Sequence, residues 1–219
     1  NKLLLQETQL LSLQSQINPH FLFNTLDTLS KKAYMEGSEE TSDLLVNVAN
    51  LLRYNLKRLD RKVTLYEEVN VLRQYIEIQK ARFTERLRFT AQVDESCLYV
   101  QVPGLTLQPI VENAVIHAVE PSEDGGEIVF RVRREDALVK IEIEDDGPGM
   151  PEESREQILA GGSYLTEGHS TGIGFSNVVK RLRLFYGLQD IVEIDSVLGR
   201  GTKVTLKIPQ PRRDRKSVV

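Results

Sequence analysis

The stretch Val139–Met150 reads VKIEIEDDGPGM. Its first half alternates apolar and charged residues, which is the pattern of a β-strand with one face buried and the other in water. Asp145 falls on the apolar phase, so we expect its carboxylate to point toward the inner face, where a buried charge needs a partner. Gly147 and Gly149 follow and let the backbone approach a ligand closely. A tight turn in which local N–H groups satisfy Asp145 is an equally good interpretation of these residues taken alone.

The sequence around this stretch predicts the rest of the fold. The same period of two occurs at 128–132 and 204–208, and apolar periodicity typical of helices lies near 105–119 and 173–186. One-sided strands combined with helices predict a two-layer α/β sandwich with a mixed or antiparallel sheet, extending over residues 86–210.

The first 83 residues have a different composition. They contain only one of the 14 glycines, Gly37, and apolar residues recur at helical spacing on both sides of it. This predicts a helical hairpin and makes the whole chain α+β. A hairpin has too little internal contact to bury two apolar stripes, so we expect a second copy to complete a dimeric four-helix bundle. The stripes are Leu22, Leu26, Leu29 and Ala33 before the glycine, and Leu44, Leu45, Val48, Leu51, Leu52 and Leu56 after it.

A third helix is predicted to start at Thr64. Thr64 and Glu67 have the spacing of a capping box, in which each side chain satisfies a free backbone N–H group of the other. The predicted division of the chain is a hairpin at 1–62, a connecting helix at 63–85, an α/β domain at 86–210, and a basic, disordered tail at 211–219.

Composition restricts the function classes. Lys plus Arg is 28 and Asp plus Glu is 32, a net charge of −4, which argues against a dedicated nucleic-acid binder. Cys97 is the only cysteine, so no intramolecular disulfide forms and a reducing cytosol is the expected compartment. No apolar run approaches the roughly 18 residues of a membrane helix. Because the chain begins at Asn1, we expect a cytosolic piece of a longer protein, with a sensor or membrane segment upstream.

The hairpin carries one candidate reactive group. At 100° per residue, His20 and Asn24 share a helix face opposite the apolar stripe, so the imidazole is expected to point outward. A neutral imidazole nitrogen has a free lone pair and can act as a nucleophile. A surface or capping histidine beside the kink at Pro19 is the commoner interpretation of such a residue alone.

Three more candidates lie in the α/β part. Asn113 and His117 share one helix face, and an amide oxygen suits a hard cation such as Mg²⁺. Gly172, Ile173 and Gly174 open a helix, where free N–H groups attract anions. Thr202 follows a Gly-Arg-Gly turn and has the inward phase of its strand. The ordinary alternatives are a polar outer helix face, a plain helix start and a hairpin turn, respectively.

The order of these motifs carries more weight than any one of them. An Asn-bearing helix, a strand ending in DxGxG, a GxG loop and a final GxGT strand resemble the ATP-binding domain shared by gyrase, Hsp90, histidine kinases and MutL, often called GHKL or Bergerat. The segments QINPHFLFNTL (16–26), YIEIQKARF (75–83) and LQPIVENA (107–114) are similar to the LytS/YesM type of sensor histidine kinase. With them, the resemblance covers nearly the whole chain.

The resemblance implies ATP-dependent autophosphorylation. His20 would take the γ-phosphoryl group and pass it to an aspartate on the receiver domain of a response regulator. Asp145 would hold the adenine amino group, helped by Gly147, Gly149 and Thr202. Asn113 would bind Mg²⁺ between the phosphates with His117 nearby, and the Gly172–Gly174 turn would close the phosphate end. Residues 150–171 would form a mobile lid over the nucleotide.

The sequence departs from the wider pattern at three places. Phe21 follows His20 where many histidine kinases have an acidic residue, so the proton acceptor is open; Asn24 can orient the imidazole but cannot be the base. Pro109 stands where the wider fold often has Asn or Glu, which leaves Glu112 as the nearest helix carboxylate and a candidate polarising group. Ser170 replaces the first glycine of a full GxGxG.

Two other functions are compatible with parts of this pattern. An ATPase or a protein serine kinase of the same fold explains residues 86–209 but gives no role to His20 or the hairpin. A catalytically silent dimeric scaffold is the second alternative, and the intact motifs argue against it. ATP turnover without a phosphoprotein would favour the first, and failure to bind nucleotide the second.

Overall fold

The computed structural model describes residues 19–57, 61–162 and 173–210, without the side chains of Lys57 and Ile173. It divides into two units, of which the first ends at Arg53 and the second begins at Tyr54. The predicted tail, Gly172 and most of the second half of the predicted lid lie outside the described residues. Within the described ranges no helix is both long enough and apolar enough to cross a bilayer.

The first unit is a helical hairpin, as the sequence predicts. Helix α1 spans Pro19–Met35 and helix α2 spans Glu39–Lys57, continuing past the division between the units. Gly37 has φ 79° and turns the chain, a left-handed conformation that favours glycine. Ser38 then donates its backbone N–H to the carbonyl of Ala33 at 2.9 Å, so the end of α1 is capped by the turn itself.

The hairpin buries little beyond its turn end. The hydroxyls of Ser30 and Ser42 hydrogen-bond at 3.0 Å in a buried position, and the small residue Ala33 lies nearby in the sequence of α1. Farther along the stripe Leu29 keeps 46% of its surface exposed. The predicted apolar stripes are therefore not buried by the hairpin alone.

The second unit begins with a helix that packs on the sandwich. Helix α3 (Leu65–Phe83) has the predicted capping box, with Glu67 N–H donating to the Thr64 hydroxyl and the Glu67 carboxylate accepting from the Thr64 N–H. The short strand β1 (Lys62–Thr64) lies just before α3 and pairs antiparallel with the short strand β3 (Gln101–Pro103). The segment predicted as a connector thus belongs to the same compact unit as the sheet, and the division at residues 62 and 85 stays a prediction.

A five-stranded mixed sheet forms the centre of this unit. Its strand order is β2-β4-β5-β7-β6, with β2 parallel to β4 and all other neighbours antiparallel. The strands are β2 (Leu87–Val93), β4 (Gly126–Glu135), β5 (Leu138–Asp145), β6 (Val192–Val197) and β7 (Gly201–Pro209). The α+β class and the mixed sheet are confirmed.

The helices of the sandwich cover the apolar face of the sheet. Helix α4 (Leu107–Ala114) continues as one π-helical turn, Val115–Val119, and packs against β5, α3 and helix α6 (Ile173–Tyr186). The three predicted strands contribute the buried positions Ile128, Phe130, Val132, Val139, Ile141, Ile143, Val204, Leu206 and Ile208.

Two predictions about local structure are wrong. Helix α5 (Glu152–Leu159) occupies part of the expected lid loop, and its Ile158 is fully buried, because the acidic first turn favours a helix whose apolar side packs on β6 and α6. Glu142, expected on the wet face of β5, is only 1% exposed because Arg133, Lys140 and Lys203 surround its carboxylate.

Candidate functional site

Asp145 lies at the last position of β5, opposite Thr202 of β7. Its carboxylate accepts the backbone N–H of Gly147 at 3.0 Å and a backbone hydrogen bond from Thr202. Burial, together with the smaller effect of the neighbouring acidic residues Asp146 and Glu144, raises the pKa of this carboxyl to about 6 despite those two bonds. A partly buried acid of this kind accepts a hydrogen bond from a ligand that replaces its lost water.

The space beside Asp145 is a cavity of about 150 Å³. It is lined by the ends of β5, β6 and β7, including Asp145, Thr202 and Ser196. The Ser196 hydroxyl accepts the backbone N–H of Met150 at 2.8 Å and lies 2.9 Å from the Thr202 hydroxyl. The sequence analysis missed Ser196; its signal would have been that it takes the inward phase of β6 after Val192 and Ile194.

The glycines of this region are required by close backbone contacts. A Cβ on Gly149, which has φ +69°, would lie 2.2 Å from the carbonyl oxygen of Val197, and one on Gly201 would lie 2.0 Å from that of Asp145. Both distances are far below van der Waals contact, so side chains there would push the strand ends apart. The sequence predicts that glycine lets the backbone approach a ligand closely. In the structure, Gly149 and Gly201 let it approach the backbone of a neighbouring segment.

Gly147 brings the Asp145 turn against the helix that carries Asn113. A Cβ on Gly147 would lie 2.8 Å from the Cβ of Ala118, in the π-helical turn. A Cβ on Gly126, at the start of β4, would lie 2.7 Å from the Ala118 carbonyl oxygen. Ala118 is therefore a packing residue of the site that sequence reasoning missed, because alanine in a helix carries no chemical signal.

The polar residues of α4 and of its π-helical turn differ in how far they are exposed. Asn113 is half-buried one residue before the end of the α-helix, and His117 is half-buried on the π-helical turn. Glu112 is exposed, and partial desolvation raises the pKa of its carboxyl. A π-turn is frequent at functional sites because it shifts the phase of the side chains that follow.

Helix α6 brings the glycine-rich turn to the same helix. A Cβ on Gly174 would lie 3.6 Å from the Cβ of Pro109, so the start of α6 contacts the first turn of α4. Gly172 and the Ile173 side chain lie outside the described residues. The structure thus brings Gly147 and Gly174 against α4 and its π-helical turn, which carry Asn113 and His117, and brings Asp145, Gly149 and Thr202 together at the ends of the strands.

His20 and Asn24 form their own arrangement in the first unit. Both are exposed, and the amide nitrogen of Asn24 lies 3.2 Å from Nδ1 of His20. An amide N–H donated to Nδ1 places the ring proton on Nε2. A half-turn of the amide instead presents its oxygen to Nδ1–H and leaves the lone pair on Nε2, the tautomer that a nucleophile needs.

The donor set suits a magnesium nucleotide. Mg²⁺ is normally held by one or two protein oxygens together with substrate phosphates and water, rather than by an all-protein cage. Asn113 supplies one such oxygen, and among residues 19–57, 61–162 and 173–210 no group of three or more His, Cys, Asp or Glu side chains could hold a metal by itself. The residues present therefore fit a cation that arrives with phosphate.

Two protein-family models match the chain. The histidine kinase model matches residues 8–87, and the model of histidine kinase-, DNA gyrase B- and HSP90-like ATPases matches residues 104–212. These matches lie in the same chain order as the hairpin and the sandwich, with residues 88–103 between them.

Curated relatives extend over nearly the whole chain. Sensor histidine kinase YesM of Bacillus subtilis (strain 168) is 35% identical over 95% of this chain, and sensor histidine kinase BtsS of Escherichia coli (strain K12) is 35% identical over 95%. Sensor protein LytS of Enterococcus faecalis is 29% identical over 96%. The chain spans only 34%, 34% and 36% of these relatives, about a third of their length.

Solved structures share the fold at low identity. The mycobacterial sensor histidine kinase MprB superposes with a TM-score of 0.50 at 20% identity, covering 68% of this chain and 97% of that one. Full-length ShkA in complex with AMPPNP gives a TM-score of 0.52 at 18% identity, covering 93% of this chain and 45% of that one. These structures show the shared fold, and the family models and the curated relatives show that the chain belongs to the histidine kinase family.

Proposed function

We propose that this chain is the kinase core of a two-component sensor, which phosphorylates itself on His20 with ATP and transfers the phosphoryl group to an aspartate of a response regulator. The observation that carries this proposal is the packing of Asp145, its glycine turn and the helix of Asn113 into one site in the second unit. An exposed imidazole beside an amide in the first unit supplies the acceptor. Both ATP and receiver domains are cytosolic, which is where we place the core.

The nucleotide would be recognised at its two ends. The Asp145 carboxylate accepts a hydrogen bond from the adenine amino group, and the close glycine backbone at Gly147 and Gly149 keeps side chains out of the ring's path. Asn113 would hold Mg²⁺ by its amide oxygen, with His117 and the Gly172–Gly174 turn toward the phosphates. When bound, Mg²⁺ neutralises phosphate charge, which is the main electrostatic need of phosphoryl transfer.

The reaction needs little covalent chemistry from the protein. The Nε2 lone pair of His20 forms a bond to the γ-phosphorus of ATP, the bond from that phosphorus to the bridging oxygen breaks, and ADP leaves. The ring proton must then be lost; Asn24 can accept a hydrogen bond from Nδ1–H and orient the ring, but it cannot take that proton. Glu112 is our candidate polarising group, since its raised pKa brings its carboxyl closer to neutral pH. An aspartate carboxylate of the receiver later attacks the same phosphorus and releases His20.

A homodimer follows from the hairpin. Its apolar stripes keep large exposed side chains such as Leu22 and Leu29, which a second copy would cover in a four-helix bundle. The receiver domain is the other partner that this function requires.

The test uses ATP labelled on the γ-phosphate, with Mg²⁺, on wild type, His20→Gln and Asp145→Asn. We expect wild type to acquire an acid-labile, alkali-stable label, His20→Gln to bind ATP normally without being labelled, and Asp145→Asn to bind ATP more weakly. Asp136→Asn is the matched control, because Asp136 lies in a turn with φ 53°, a conformation that asparagine tolerates well.

Three outcomes separate the alternatives. ATP turnover without a labelled protein would contradict the autokinase and indicate an ATPase of the same fold. An acid-stable label that persists in His20→Gln would indicate a serine kinase. Absence of nucleotide binding in folded wild type would indicate a silent scaffold.

A further inference from the structure

Glu68 is a buried carboxylate outside the predicted site. It lies in the first turn of α3 and is only 2% exposed. Isolated buried charge is costly, so its partners decide what it does. Three of these are consecutive backbone N–H groups: Leu105 donates to Oε1 at 2.8 Å, and Thr106 and Leu107 donate to Oε2 at 2.7 and 2.8 Å. The Tyr54 hydroxyl also donates to Oε1.

Two of these N–H groups, those of the N-cap residue Thr106 and of Leu107, are among the donors that the start of α4 leaves without helical partners. The residue at the N-cap position, Thr106, makes no side-chain cap, and its hydroxyl donates instead to the carbonyl of Pro103 at 2.6 Å. Glu68 therefore caps α4 from another helix. Its negative charge also lies at the positive end of the helix dipole.

The loop that leads into α4 is held in an uncommon conformation. Leu105 has φ 59°, in the left-handed region that side-chain-bearing residues rarely adopt. Its N–H is bound by Glu68 and its carbonyl accepts from Arg181 of α6. The entry angle of α4 thus depends on two charged side chains rather than on local preference.

The other end of the same helical segment is capped by a side chain of opposite charge. Arg86, which follows α3, donates to the carbonyls of Val119 and Glu120 at 3.2 Å each. A guanidinium at the negative end complements the dipole as the carboxylate does at the positive end. Residues of α3 and of the turn after it therefore hold both ends of the helix and π-turn that carry Asn113 and His117.

We propose that Glu68 is a positioning residue for magnesium-nucleotide binding, which fixes the register and axial position of α4 and so places Asn113. This rests on the proposed function of Asn113. Asn113 lies six residues beyond Leu107, about 9 Å along the helix axis at 1.5 Å per residue. A rigid helix transmits a displacement of its first turn over that distance, whereas Asp145, on β5, is not attached to Glu68.

The experiment compares ATP affinity with Mg²⁺ and in EDTA, by calorimetry, for wild type, Glu68→Gln and Glu68→Asp. Gln keeps the shape of the Glu68 side chain but replaces one accepting oxygen by an amide N–H donor, which faces the backbone N–H groups. Asp keeps the negative charge, but its side chain is one methylene too short to reach them. We expect the affinity with Mg²⁺ to fall about tenfold, the effect of weakening hydrogen bonds to a charged group. The Mg²⁺-free affinity, which depends on Asp145, should change less than threefold.

Glu77→Gln is the matched control, since Glu77 lies on the same helix and pairs with Lys80 at the surface; it should leave both affinities unchanged. A folded Glu68 variant that loses thermal stability but keeps the wild-type Mg²⁺ dependence would overturn the proposal, because Glu68 would then be only a structural cap. If Glu68→Gln does not fold, the ratio of the ATP affinities with Mg²⁺ and in EDTA is measured on Glu68→Asp and decides in the same way. Wild type that binds no Mg-ATP would instead contradict the proposed function itself.

Discussion

At the scale of single residues, Asp145 combines two opposing requirements. A carboxylate accepts a hydrogen bond from a ligand amino group more strongly when it is ionised, yet burial favours the neutral acid and raises the pKa to about 6. The backbone bonds from Gly147 and Thr202 oppose the burial and keep the group ionised at pH 7. Its protonation state therefore changes just below neutral pH.

We predict that ATP affinity falls with acidification through pH 6. In the proposed role, the ionised carboxylate of Asp145 accepts from adenine much more strongly than the neutral acid, so at pH 5 the apparent affinity should be up to about tenfold lower than at pH 7. The shift is upward, so the unliganded fold is favoured by this group at low pH and loses that contribution as pH rises through about 6. Calorimetric titrations between pH 5 and 8 measure the dependence.

Asp145→Asn is the control for that titration. It cannot ionise, so the remaining pH dependence belongs to ATP itself and to other groups. If wild type and Asp145→Asn have the same pH profile, the ionisation of Asp145 has no part in nucleotide binding.

A second prediction concerns the tautomer of His20. Asn24→Ala removes the amide near Nδ1, and we expect autophosphorylation at saturating ATP to slow by about ten- to a hundredfold, because the ring loses its orientation. Asn24→Asp should retain most of the rate, since a carboxylate accepts from Nδ1–H. Thr25→Ala, which removes only a hydroxyl bond to the Phe21 carbonyl, is the control. Equal rates in Asn24→Ala and wild type would remove Asn24 from the mechanism.

Asp145, Gly147, Gly149 and Thr202 could be predicted from the sequence because strand phase and turn chemistry are local. Ala118 could not, since its importance comes from Gly126 and Gly147, which reach it only after the sheet and the helix have packed. Glu68 was equally hidden: its backbone partners lie 37 to 39 residues away in the chain.

At the scale of elements, the outer face of β5 is stabilised by charge rather than by apolar contact. Burial alone would raise the pKa of Glu142, but the hydrogen bond and charge of Lys203, with Arg133 and Lys140, hold it below its ordinary value. Strand alternation predicted a charged residue on this face correctly. It could not predict burial, because the covering cations come from three strand positions that meet only in the sheet.

We predict that Glu142→Gln destabilises the second unit by about 1–2 kcal/mol at pH 7, since it leaves three cations without their shared carboxylate. Because the pKa is lowered, this stability is present above the ordinary pKa of glutamate and is lost as pH falls through the folded value. Urea unfolding at pH 7 and at pH 3 measures both effects, and the difference between wild type and variant should shrink at pH 3.

Glu135→Gln is the matched control for Glu142→Gln. Glu135 pairs with the same Arg133 and Lys140 but is exposed, so its loss should cost no more than about 0.5 kcal/mol. If the two variants lower the free energy of unfolding equally, the burial of Glu142 adds nothing to stability.

At the scale of the whole molecule, the two units differ in how they meet their need for burial. The second encloses its own apolar core, with buried apolar residues in every strand of the five-stranded sheet, although the edge strand β2 contributes only Leu87. The first leaves its stripes partly open. Sequence periodicity predicted this contrast, because it identifies the apolar stripes of the two helices even when the surface that covers them is not known.

We predict a dimer formed through the hairpin. Leu29→Asp should shift the chain toward monomer in multi-angle light scattering, because a carboxylate would enter the apolar seam. Lys31→Asp, which changes the charge of an exposed residue on the same helix, should stay dimeric. Wild type that remains monomeric at high concentration would contradict the four-helix bundle.

The π-helical turn Val115–Val119 has a consequence for how this sequence can vary. Such a turn is equivalent to a one-residue insertion in an α-helix. Deleting one residue there would restore the regular helix and rotate everything after it by about 100°. Ala118 would leave its place beside Gly147, and a bulkier neighbour would have to fit where a Cβ added to Gly147 would already lie 2.8 Å from the Cβ of Ala118. In an evolving lineage, a one-residue deletion in this turn is therefore less tolerable than most substitutions of the residues it contains.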